Sequence, residues 1–317
     1  MKKAAIGVDI GGGSVKLGLV DSEGRVLSRE FFLTADAKGR SLMMKIMTDR
    51  IVHLIAAAKK KGLTLSGVGI GAPGPIDVER GFVYFFPNIP GWKNTPLKQL
   101  LEKRISLPVW VDNDASVMAL AEFRFGSGRG SKNMIGLTLG TGVGGGIVID
   151  GRLFHGSHFS AAEIGHLVLN EVGPICGCGS RGCVETYVGS GHFTREVRKR
   201  LDSGQKSVLS AWIAKGKELS PLLVAQAAAA GDIFSKKIWE ETGEHLGTLL
   251  AGLANVLNPE RIILGGGIAQ NKGLLFKPAI RTLKKKAFPI AGRSVKVVPA
   301  ALGVDAGLIG AAALALI

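Results

Sequence analysis

One pattern occurs twice in this sequence and restricts the folds open to it: a glycine-rich turn, an apolar strand and a polar turn that leads into another strand. The first copy covers residues 12–27 and the second covers residues 144–154. In both copies an aspartate, a glycine and an arginine follow in that order, as is typical of turns. We interpret the repetition as an internal duplication, which predicts two related α/β halves facing each other across a cleft. Ligands of α/β sheets bind where strand ends meet such a cleft.

Hydrophobic periodicity places the duplicated strands among further strands and helices. Apolar runs bounded by turn residues predict strands, and apolar residues three and four apart predict helices. The predicted strands cover residues 4–10, 15–20, 25–33, 68–70, 109–111, 261–264 and 295–298. The predicted helices cover residues 40–61, 115–125, 232–257 and 305–316. A chain of 317 residues with this alternation favours two α/β domains over one.

Composition excludes several classes of protein. Hydrophobic residues make up 46% and charged residues 21% of the chain, which is too apolar for a disordered protein. The apolar runs at residues 4–8 and 307–317 are too short to span a bilayer, so we expect a cytoplasmic protein without a membrane partner. The net charge is +15, but the lysines and arginines occur in small scattered groups and only 6% of residues are aromatic. We therefore expect solvated basic helix faces, or an anionic substrate such as a phosphate chain, and no nucleic-acid partner.

Three glycine-rich loops are candidates for phosphate or nucleotide binding. They cover residues 9–14, 139–146 and 264–267, each at the end of a predicted strand. Glycines let backbone N–H groups approach phosphate oxygens, and we expect the third loop to open a helix whose dipole favours an anion. A simple tight turn is the alternative for each loop, and none matches the P-loop pattern. Asp9 is placed to hold hydrated Mg²⁺, unless it only initiates a turn.

All three cysteines of the chain lie within eight positions, at Cys176, Cys178 and Cys183, and His166 precedes the first of them by ten residues. An odd and clustered number of cysteines argues against a disulfide framework, whereas four nitrogen and sulfur ligands suit tetrahedral Zn²⁺. Because four protein ligands leave no open position, we predict a structural zinc site. The alternative is three buried thiols and an unrelated histidine.

Asp112, Asn113 and Asp114 stand where a predicted strand meets a predicted helix. Asp114 is a natural N-cap for that helix, which is a purely structural explanation of the residue. Glu163 and Glu185 flank the predicted zinc loop, which can hold both carboxylates facing the cleft. Fixed carboxylates and an asparagine suit a polyol with many hydroxyl donors. A carboxylate near a nucleophilic hydroxyl can also take its proton during phosphoryl transfer.

Together these segments resemble the ROK family of sugar kinases and related repressors. The resemblance rests on residues 9–12, 111–115, 139–146 and 163–166, and most specifically on the cysteine motif that ends at Glu185. It covers essentially the whole chain. The family has an actin-like, hexokinase-type (ribonuclease H-like) ATPase fold with two α/β domains and a cleft between them. For this chain we expect a small domain of residues 1–115 plus 300–317, and a large domain of residues 116–299 with the zinc loop.

The resemblance also implies roles for the matching residues. Asp114 would be the general base that activates the primary hydroxyl of the sugar, and structural zinc would be bound by His166, Cys176, Cys178 and Cys183. The sugar would further contact Gly74, Asn113, Glu163, His166 and Glu185. ATP and Mg²⁺ would be bound by Asp9, Gly11, Gly12, Gly13, Ser14, Lys16, Gly140, Thr141, Gly142, Gly265, Gly266 and Gly267. A homodimer is implied as well.

The first glycine loop departs from the family pattern at one position. The family has threonine after the two glycines, whereas this chain has Gly13 followed by Ser14. A hydroxyl that could touch a phosphate is thereby displaced by one residue. With the charge of +15, this departure leads us to expect weak use of inorganic polyphosphate as a donor beside ATP.

The predicted reaction is the ATP-dependent phosphorylation of the C6 hydroxyl of a hexose. Residues 71–77 and 86–92 are similar to bacterial glucokinases, so glucose is the first choice of substrate. Residues 107–114 and 155–163 also resemble N-acetylmannosamine kinases, and kinases of N-acetylglucosamine, fructose or allose stay open. The non-enzymatic alternative is a sugar-responsive repressor. We disfavour it because Asp9 already lies in the first strand, which leaves no room before it for a helix-turn-helix.

Overall fold

Strands and helices alternate through the computed structural model, which describes residues 2–316. The strands in this range are β1 (Lys3–Ile10), β2 (Ser14–Asp21), β3 (Val26–Leu33), β4 (Thr64–Ala72), β5 (Ile76–Asp77), β6 (Phe82–Phe85), β7 (Lys93–Thr95), β8 (Val109–Asn113), β9 (Met134–Leu139), β10 (Val143–Ile149), β11 (Arg152–Leu153), β12 (Arg261–Gly265) and β13 (Lys296–Pro299).

The α-helices in the same range are α1 (Arg40–Lys60), α2 (Leu97–Ile105), α3 (Asp114–Phe125), α4 (Glu185–Val188), α5 (Ser190–Asp202), α6 (Val208–Ala214), α7 (Pro221–Ala229), α8 (Ile233–Leu257), α9 (Lys272–Lys286), α10 (Pro289–Ser294) and α11 (Ala306–Ala315). Short 3₁₀ segments lie at Thr34–Asp36, Ile164–His166, Ile268–Gln270 and Gly303–Asp305. The strands and helices predicted from periodicity all form, with ends that differ by a few residues.

Two five-stranded sheets repeat one arrangement. The first has the order β3-β2-β1-β4-β8 and the second has the order β11-β10-β9-β12-β13. In the first sheet β1 pairs antiparallel with β2 and parallel with β4, and β4 pairs parallel with β8. In the second sheet β12 pairs parallel with both β9 and β13, and β10 pairs antiparallel with β11. This strand-for-strand correspondence confirms the predicted duplication.

The small-residue helix α11 packs directly on the first sheet. A Cβ atom at Gly69, in β4, would collide with the backbone of Ala311 in α11, so the helix and the strand approach each other at backbone distance. The helix consists almost entirely of buried alanine, glycine, leucine and isoleucine, which permits this approach. On α1 the buried stripe Met43, Met47, Ile51 and Leu54 belongs to the main core cluster of the same sheet. The first sheet is therefore fixed by tight packing, and its strand ends can hold side chains in defined positions.

Contacts divide the described chain into two compact units. The first unit comprises the described residues of Met1–Lys132, Gly146–Ala162 and Ala301–Ile317, and the second comprises Asn133–Gly145 and Glu163–Ala300. The division falls within β10. The domain boundaries expected from the sequence, at residues 115/116 and 299/300, stay a prediction. Within residues 2–316 no helix combines the length and the apolar character needed to cross a membrane.

Candidate active site

In the first unit, the carboxyl ends of three neighbouring parallel strands bring candidate residues to one edge. In the strand register Asp9 of β1 lies opposite Gly71 of β4, and Gly71 lies opposite Asp112 of β8. The loop after β4 returns to this edge, because Asn113 Nδ2 donates a 3.3 Å hydrogen bond to the carbonyl oxygen of Gly74. Ligands of α/β folds bind at this kind of edge. The structure thus places Gly74, Asn113 and Asp114 together.

The cap of α3 is Asn113, and the proposal that Asp114 is the N-cap is wrong. Asn113 has extended backbone angles, and its Oδ1 accepts hydrogen bonds from Ala115 N at 2.9 Å and Ser116 N at 3.3 Å. Asp114 is the first helical residue, is exposed, and accepts from Ala115 N at 2.8 Å through Oδ1. Capping therefore explains the asparagine and leaves the carboxylate of Asp114 to be explained by other chemistry.

A hydrogen-bonded pair beside Asp114, formed by the buried Asp112 and the half-buried His155, was missed by the sequence reasoning. Asp112 Oδ2 lies 2.8 Å from His155 Nε2, and Asp112 Oδ1 accepts a 2.7 Å hydrogen bond from Asn113 N. The Asp112 side chain is 4% exposed. The hydrogen bond to Asp112 raises the pKa of His155, and its burial opposes that rise. No local sequence signal links two residues so far apart in the chain; only the fold brings them together.

The carboxylate of Asp9 lies against the beginning of α11. A Cβ atom at Gly307 would stand 2.8 Å from Asp9 Cγ, so the second residue of that helix is in contact with the carboxylate. Burial raises the pKa of Asp9, and the neighbouring charge of Lys16, its cross-strand partner, lowers it. Lys16 Nζ in turn donates to Val304 O at 3.3 Å. A half-buried carboxylate supplies the oxygen ligands that hydrated Mg²⁺ prefers.

The first glycine loop is closed by Thr34, a second residue that the sequence reasoning missed. Gly11 N donates to Ser14 O at 3.0 Å, Thr34 Oγ1 donates to Gly11 O at 2.9 Å, and Thr34 N donates to Gly13 O at 3.1 Å. A Cβ atom at Gly13 would meet no atom within 4 Å. Glycine at this position is thus not required by packing, and a larger side chain fits there.

In the second unit, the predicted zinc ligands form one cluster. The ligand atoms of His166, Cys176, Cys178 and Cys183 all lie within 4.8 Å of one another. Cys176 Sγ is 3.6 Å from His166 Nδ1, and Cys178 Sγ is 3.7 Å from Cys183 Sγ. In a tetrahedral zinc site two sulfur ligands are about 3.8 Å apart, and a sulfur and a nitrogen about 3.6 Å, because Zn–S is about 2.3 Å and Zn–N about 2.0–2.1 Å. The two measured distances fit a tetrahedral ion of this size.

Glu185 connects the cysteine cluster to the second glycine loop. Its Oε1 lies 3.9 Å from Cys176 Sγ, and its Oε2 accepts a 3.0 Å hydrogen bond from Val143 N. A Cβ atom at Gly142 would collide with Oε2, so only glycine allows this carboxylate to reach the loop. Glu163 approaches the cluster from the other side, with Oε2 4.0 Å from His166 Nε2. The two nitrogens of His166 therefore face different partners, the sulfur cluster and Glu163.

The second and third glycine loops lie side by side in the second unit. Gly266 has φ +88° and packs against the backbone of Leu139, the first residue of the second loop. Ser190 N, at the start of α5, donates to Gly140 O at 2.9 Å, and Gly191 N donates to Thr141 O at 3.4 Å. The third loop does not open an α-helix as expected: it leads into the short 3₁₀ segment Ile268–Gln270. Three residues have too few aligned peptides for the predicted helix dipole, so backbone N–H groups are what these loops offer.

The candidate residues are divided between the two units. Gly74, Asn113 and Asp114, with Asp9, Lys16 and the first glycine loop, belong to the first unit. Glu163, His166 and Glu185, with the cysteines and the other two glycine loops, belong to the second. Each unit brings its own members together, as the distances above show.

The chain belongs to the ROK family, whose family model matches residues 5–317. It is 38% identical over 306 residues to the glucokinase of Halalkalibacterium halodurans. The aligned region covers 96% of this chain and 92% of that protein. Among solved structures it is similar to a ROK family glucokinase from Streptomyces griseus in complex with glucose and AMPPNP. That match has a TM-score of 0.81, 36% identity and 98% coverage of both chains.

Two further solved structures extend the comparison. A ROK family transcriptional regulator, a homologue of the Escherichia coli Mlc protein, matches with a TM-score of 0.89 and 29% identity over 99% of this chain and 78% of the regulator. An inorganic polyphosphate/ATP-glucomannokinase from Arthrobacter sp. strain KM matches with a TM-score of 0.62 and 26% identity over 99% of this chain and 98% of that one. The predicted actin-like, hexokinase-type α/β fold is confirmed by these neighbours.

Proposed function

We propose that this chain is an ATP-dependent glucokinase that converts glucose to glucose 6-phosphate with Asp114 as the general base. The observation that carries the proposal is the end of β8, where Asn113 caps α3 and Asp114 presents a carboxylate that the cap does not need. The similarity to glucokinases over nearly the whole chain supports the same reaction.

In this mechanism Asp114 accepts the proton of the C6 hydroxyl while the hydroxyl oxygen bonds to the γ-phosphorus of ATP. The bond from that phosphorus to the β,γ-bridging oxygen breaks, and ADP leaves with the electron pair. Mg²⁺, when bound, neutralises charge on the phosphates, and Asp9 is the residue we propose to hold its hydrated form. The chain otherwise contributes position and hydrogen bonds, which dominate phosphoryl transfer.

Each unit separately carries polar groups that we propose for sugar recognition. Asn113 and the Gly74 loop on the first unit, and Glu163, His166 and Glu185 on the second, offer acceptors and donors matched to hexose hydroxyls. His166 can serve both roles proposed for it, because Nδ1 faces the sulfur cluster while Nε2 points toward Glu163. We assign structural zinc to the cluster of His166 and the three cysteines, on the fit of its distances to a tetrahedral ion.

The glycine loops are proposed to bind the nucleotide through backbone N–H groups. The second and third loops, residues 140–142 and 265–267, are adjacent in the second unit, and the first loop with Ser14 and Lys16 lies in the first. We place the protein in the cytoplasm, where ATP is available and where its three cysteines, none of them in a disulfide, stay reduced. A homodimer remains an expectation, which light scattering on the purified protein tests.

The decisive experiment measures ADP release with ATP and Mg²⁺ across a series of sugars. We expect glucose to have the highest kcat/KM among glucose, mannose, fructose, N-acetylglucosamine and N-acetylmannosamine. A preference for N-acetylmannosamine would change the proposed activity from glucokinase to acyl-amino sugar kinase. The proposed role of Asp114 as the general base would stay the same. No turnover with any sugar, together with sequence-specific DNA binding at physiological salt in a gel shift, would instead establish the repressor alternative.

Polyphosphate is proposed as a second phosphate donor because one cationic groove lies beside the second glycine loop. A surface cavity of about 770 Å³ is lined by Arg195, Arg198 and Lys199 of α5, the helix whose first residues bond to Gly140 and Thr141. These three cations lie on one helix face, since they are spaced three and four residues apart. Their neighbour Arg200 pairs with Glu196 and Glu241, whereas none of the three forms an ion pair within residues 2–316. Asp202 lines the same cavity, but three cations against one carboxylate leave a net positive face, which suits a long polyanion.

We expect glucose 6-phosphate to form from glucose, Mg²⁺ and inorganic polyphosphate, more slowly than from ATP. Replacing Arg198 and Lys199 together by glutamine is expected to raise the KM for polyphosphate about fivefold, because each exposed charge contributes about 0.5 kcal/mol. The KM for ATP stays within about twofold. The matched control is the double replacement of Lys284 and Lys285, which are exposed and lie on α9 of the same unit. An absence of product with polyphosphate, or an equal effect of the control, rejects this donor site.

A further inference from the structure

The hydrogen-bonded pair of Asp112 and His155 holds the peptide that leads to the proposed base. Both oxygens of the buried Asp112 carboxylate are engaged, Oδ2 by His155 Nε2 at 2.8 Å and Oδ1 by Asn113 N at 2.7 Å. The second bond fixes the orientation of the peptide between Asp112 and Asn113. Because Asn113 caps α3 and Asp114 begins it, the direction of this peptide sets where both side chains point.

His155 also anchors the segment that leads toward the zinc ligands. It follows β11, and its carbonyl oxygen accepts a 3.0 Å hydrogen bond from Ala161 N, which closes residues 155–161 into a loop. Gly156, Phe159 and Ala162 have positive φ angles, so the loop follows a constrained path. Residues 155–162 belong to the same unit as Asp112, and the chain continues directly into Glu163. A single side chain thus ties this loop to the end of β8.

The strength of the pair follows from its surroundings. The His155 side chain is 25% exposed and that of Asp112 is 4% exposed, so water screens their attraction only in part. The hydrogen bond to Asp112 raises the pKa of His155 despite its burial. Removing the imidazole would leave Oδ2 of the buried Asp112 without the partner it has at 2.8 Å, and a buried polar atom that loses its hydrogen bond is costly.

We propose that His155 is a positioning residue for phosphoryl transfer, acting through Asp112 to hold Asn113 and Asp114 in their reactive orientation. The proposal rests on the proposed kinase function. It assigns His155 no contact with the sugar or the phosphate donor, and the imidazole makes and breaks no bond in the reaction. Its contribution is geometric, and small displacements of reacting groups have large effects on turnover.

The kinetic test compares three variants of the full chain. His155→Leu is expected to lower kcat with glucose and ATP about 10- to 100-fold, while the KM for ATP stays within about twofold. His155→Gln keeps an amide donor for Asp112 and is expected to retain kcat within about fivefold of the wild type. The matched control is His158→Leu, because His158 is an exposed histidine of the same loop and its loss leaves kcat unchanged. Near-normal kcat in His155→Leu, or no rescue by glutamine, overturns the proposal.

A double variant separates positioning from folding. Asp112→Asn combined with His155→Leu removes the buried charge, so we expect its melting temperature to recover relative to His155→Leu while its kcat stays low. Full recovery of kcat as well would show that His155 only neutralises a buried charge, and would overturn the positioning role. If His155→Leu does not fold, the double variant and His155→Gln carry the comparison.

The pair can be tested without any kinase activity. In the wild-type chain, NMR titration is expected to show the His155 imidazole with a pKa above the ordinary histidine value, and Asp112→Asn is expected to return it toward that value. An unshifted His155 means that the pair does not form, which overturns the proposal. If the wild type fails to phosphorylate any sugar while this titration behaves as expected, the proposed function fails and the pair stands.

Discussion

Replacing Asp114 by asparagine is expected to reduce kcat about 10²- to 10⁴-fold, the usual contribution of a positioned general base. Asparagine has the same shape but cannot take the proton of the C6 hydroxyl. The loss corresponds to about 3–5 kcal/mol of transition-state stabilisation. Steady-state assays with glucose and ATP measure it, and glucose binding by calorimetry is expected to remain close to that of the wild type.

The fold of the Asp114→Asn variant is expected to be intact, because the bonds at this junction survive the change. The amide oxygen can still accept the hydrogen bond that Ala115 N donates to Asp114 Oδ1 at 2.8 Å. The cap itself is on Asn113, so helix α3 keeps its first two backbone partners. Turnover within a few-fold of the wild type in a folded Asp114→Asn protein would refute the assignment of the base.

Asn113→Ala is the matched control, because it is expected to lower stability, whereas Asp114→Asn is expected to lower turnover and leave stability unchanged. This change removes the acceptor of Ser116 N and one of the two acceptors of Ala115 N, and loss of a cap costs about 1 kcal/mol of stability. We expect a lower melting temperature for Asn113→Ala and an unchanged one for Asp114→Asn. Differential scanning calorimetry of the two variants thus separates capping from catalysis, the two explanations that the sequence left open for this junction.

The strand ends that carry the site were predictable because their signals are local. Asp9, Asp112 and Asn113 follow apolar runs directly, and the register of parallel strands then brings them to one edge. The cysteine cluster was equally visible, since its spacing is short and all its members are chemically distinctive. In both cases short stretches of sequence identify the residues, and a common pattern, either parallel strand ends or ligand spacing, predicts where they lie.

What could not be predicted depends on pairs of residues far apart in the chain or on backbone angles. His155 meets Asp112, and Thr34 meets Gly11, only after the sheet has formed. At the start of α3 the choice between two good caps, Asn113 and Asp114, is decided by the extended angles of Asn113. The sequence of the third glycine loop is typical of a helix start. The helix that follows nevertheless ends after three residues, because the backbone of Asn271 leaves the helical region, with ψ 56°.

Loss of the metal is expected to have the second largest effect, and Cys178→Ala is the variant that isolates it. Cys176 and Cys183 are buried, so replacing either would also disturb packing, whereas Cys178 is exposed. We expect zinc, measured by mass spectrometry, to fall from one ion per chain to a small fraction of that. With a ligand removed, only three donors remain for an ion that prefers four.

The zinc is expected to matter for sugar binding because it would cross-link the segment between Glu163 and Glu185, which contains little regular secondary structure. Between residues 166 and 184 the regular pairing consists of two isolated bridges, Val168 with Cys183 and Ile175 with Arg181. A metal cross-link restricts such a loop much as a disulfide would, an effect of about 3 kcal/mol for loops of this length. We expect the KM for glucose to rise at least about tenfold in Cys178→Ala, since the segment that positions both carboxylates loosens and Glu185 keeps only its bond from Val143 N and its place at the start of α4.

Ile175→Ala is the control for damage to the loop surface, because Ile175 is exposed and immediately precedes the first cysteine ligand. It is expected to keep both the zinc and the KM for glucose. The KM for ATP is expected to change little in either variant, since the second glycine loop is also held by bonds from the start of α5 to Gly140 and Thr141. A full zinc content in Cys178→Ala would remove that cysteine from the ligand set. A normal KM for glucose in the zinc-free variant would mean that Glu163 and Glu185 are positioned by the protein alone.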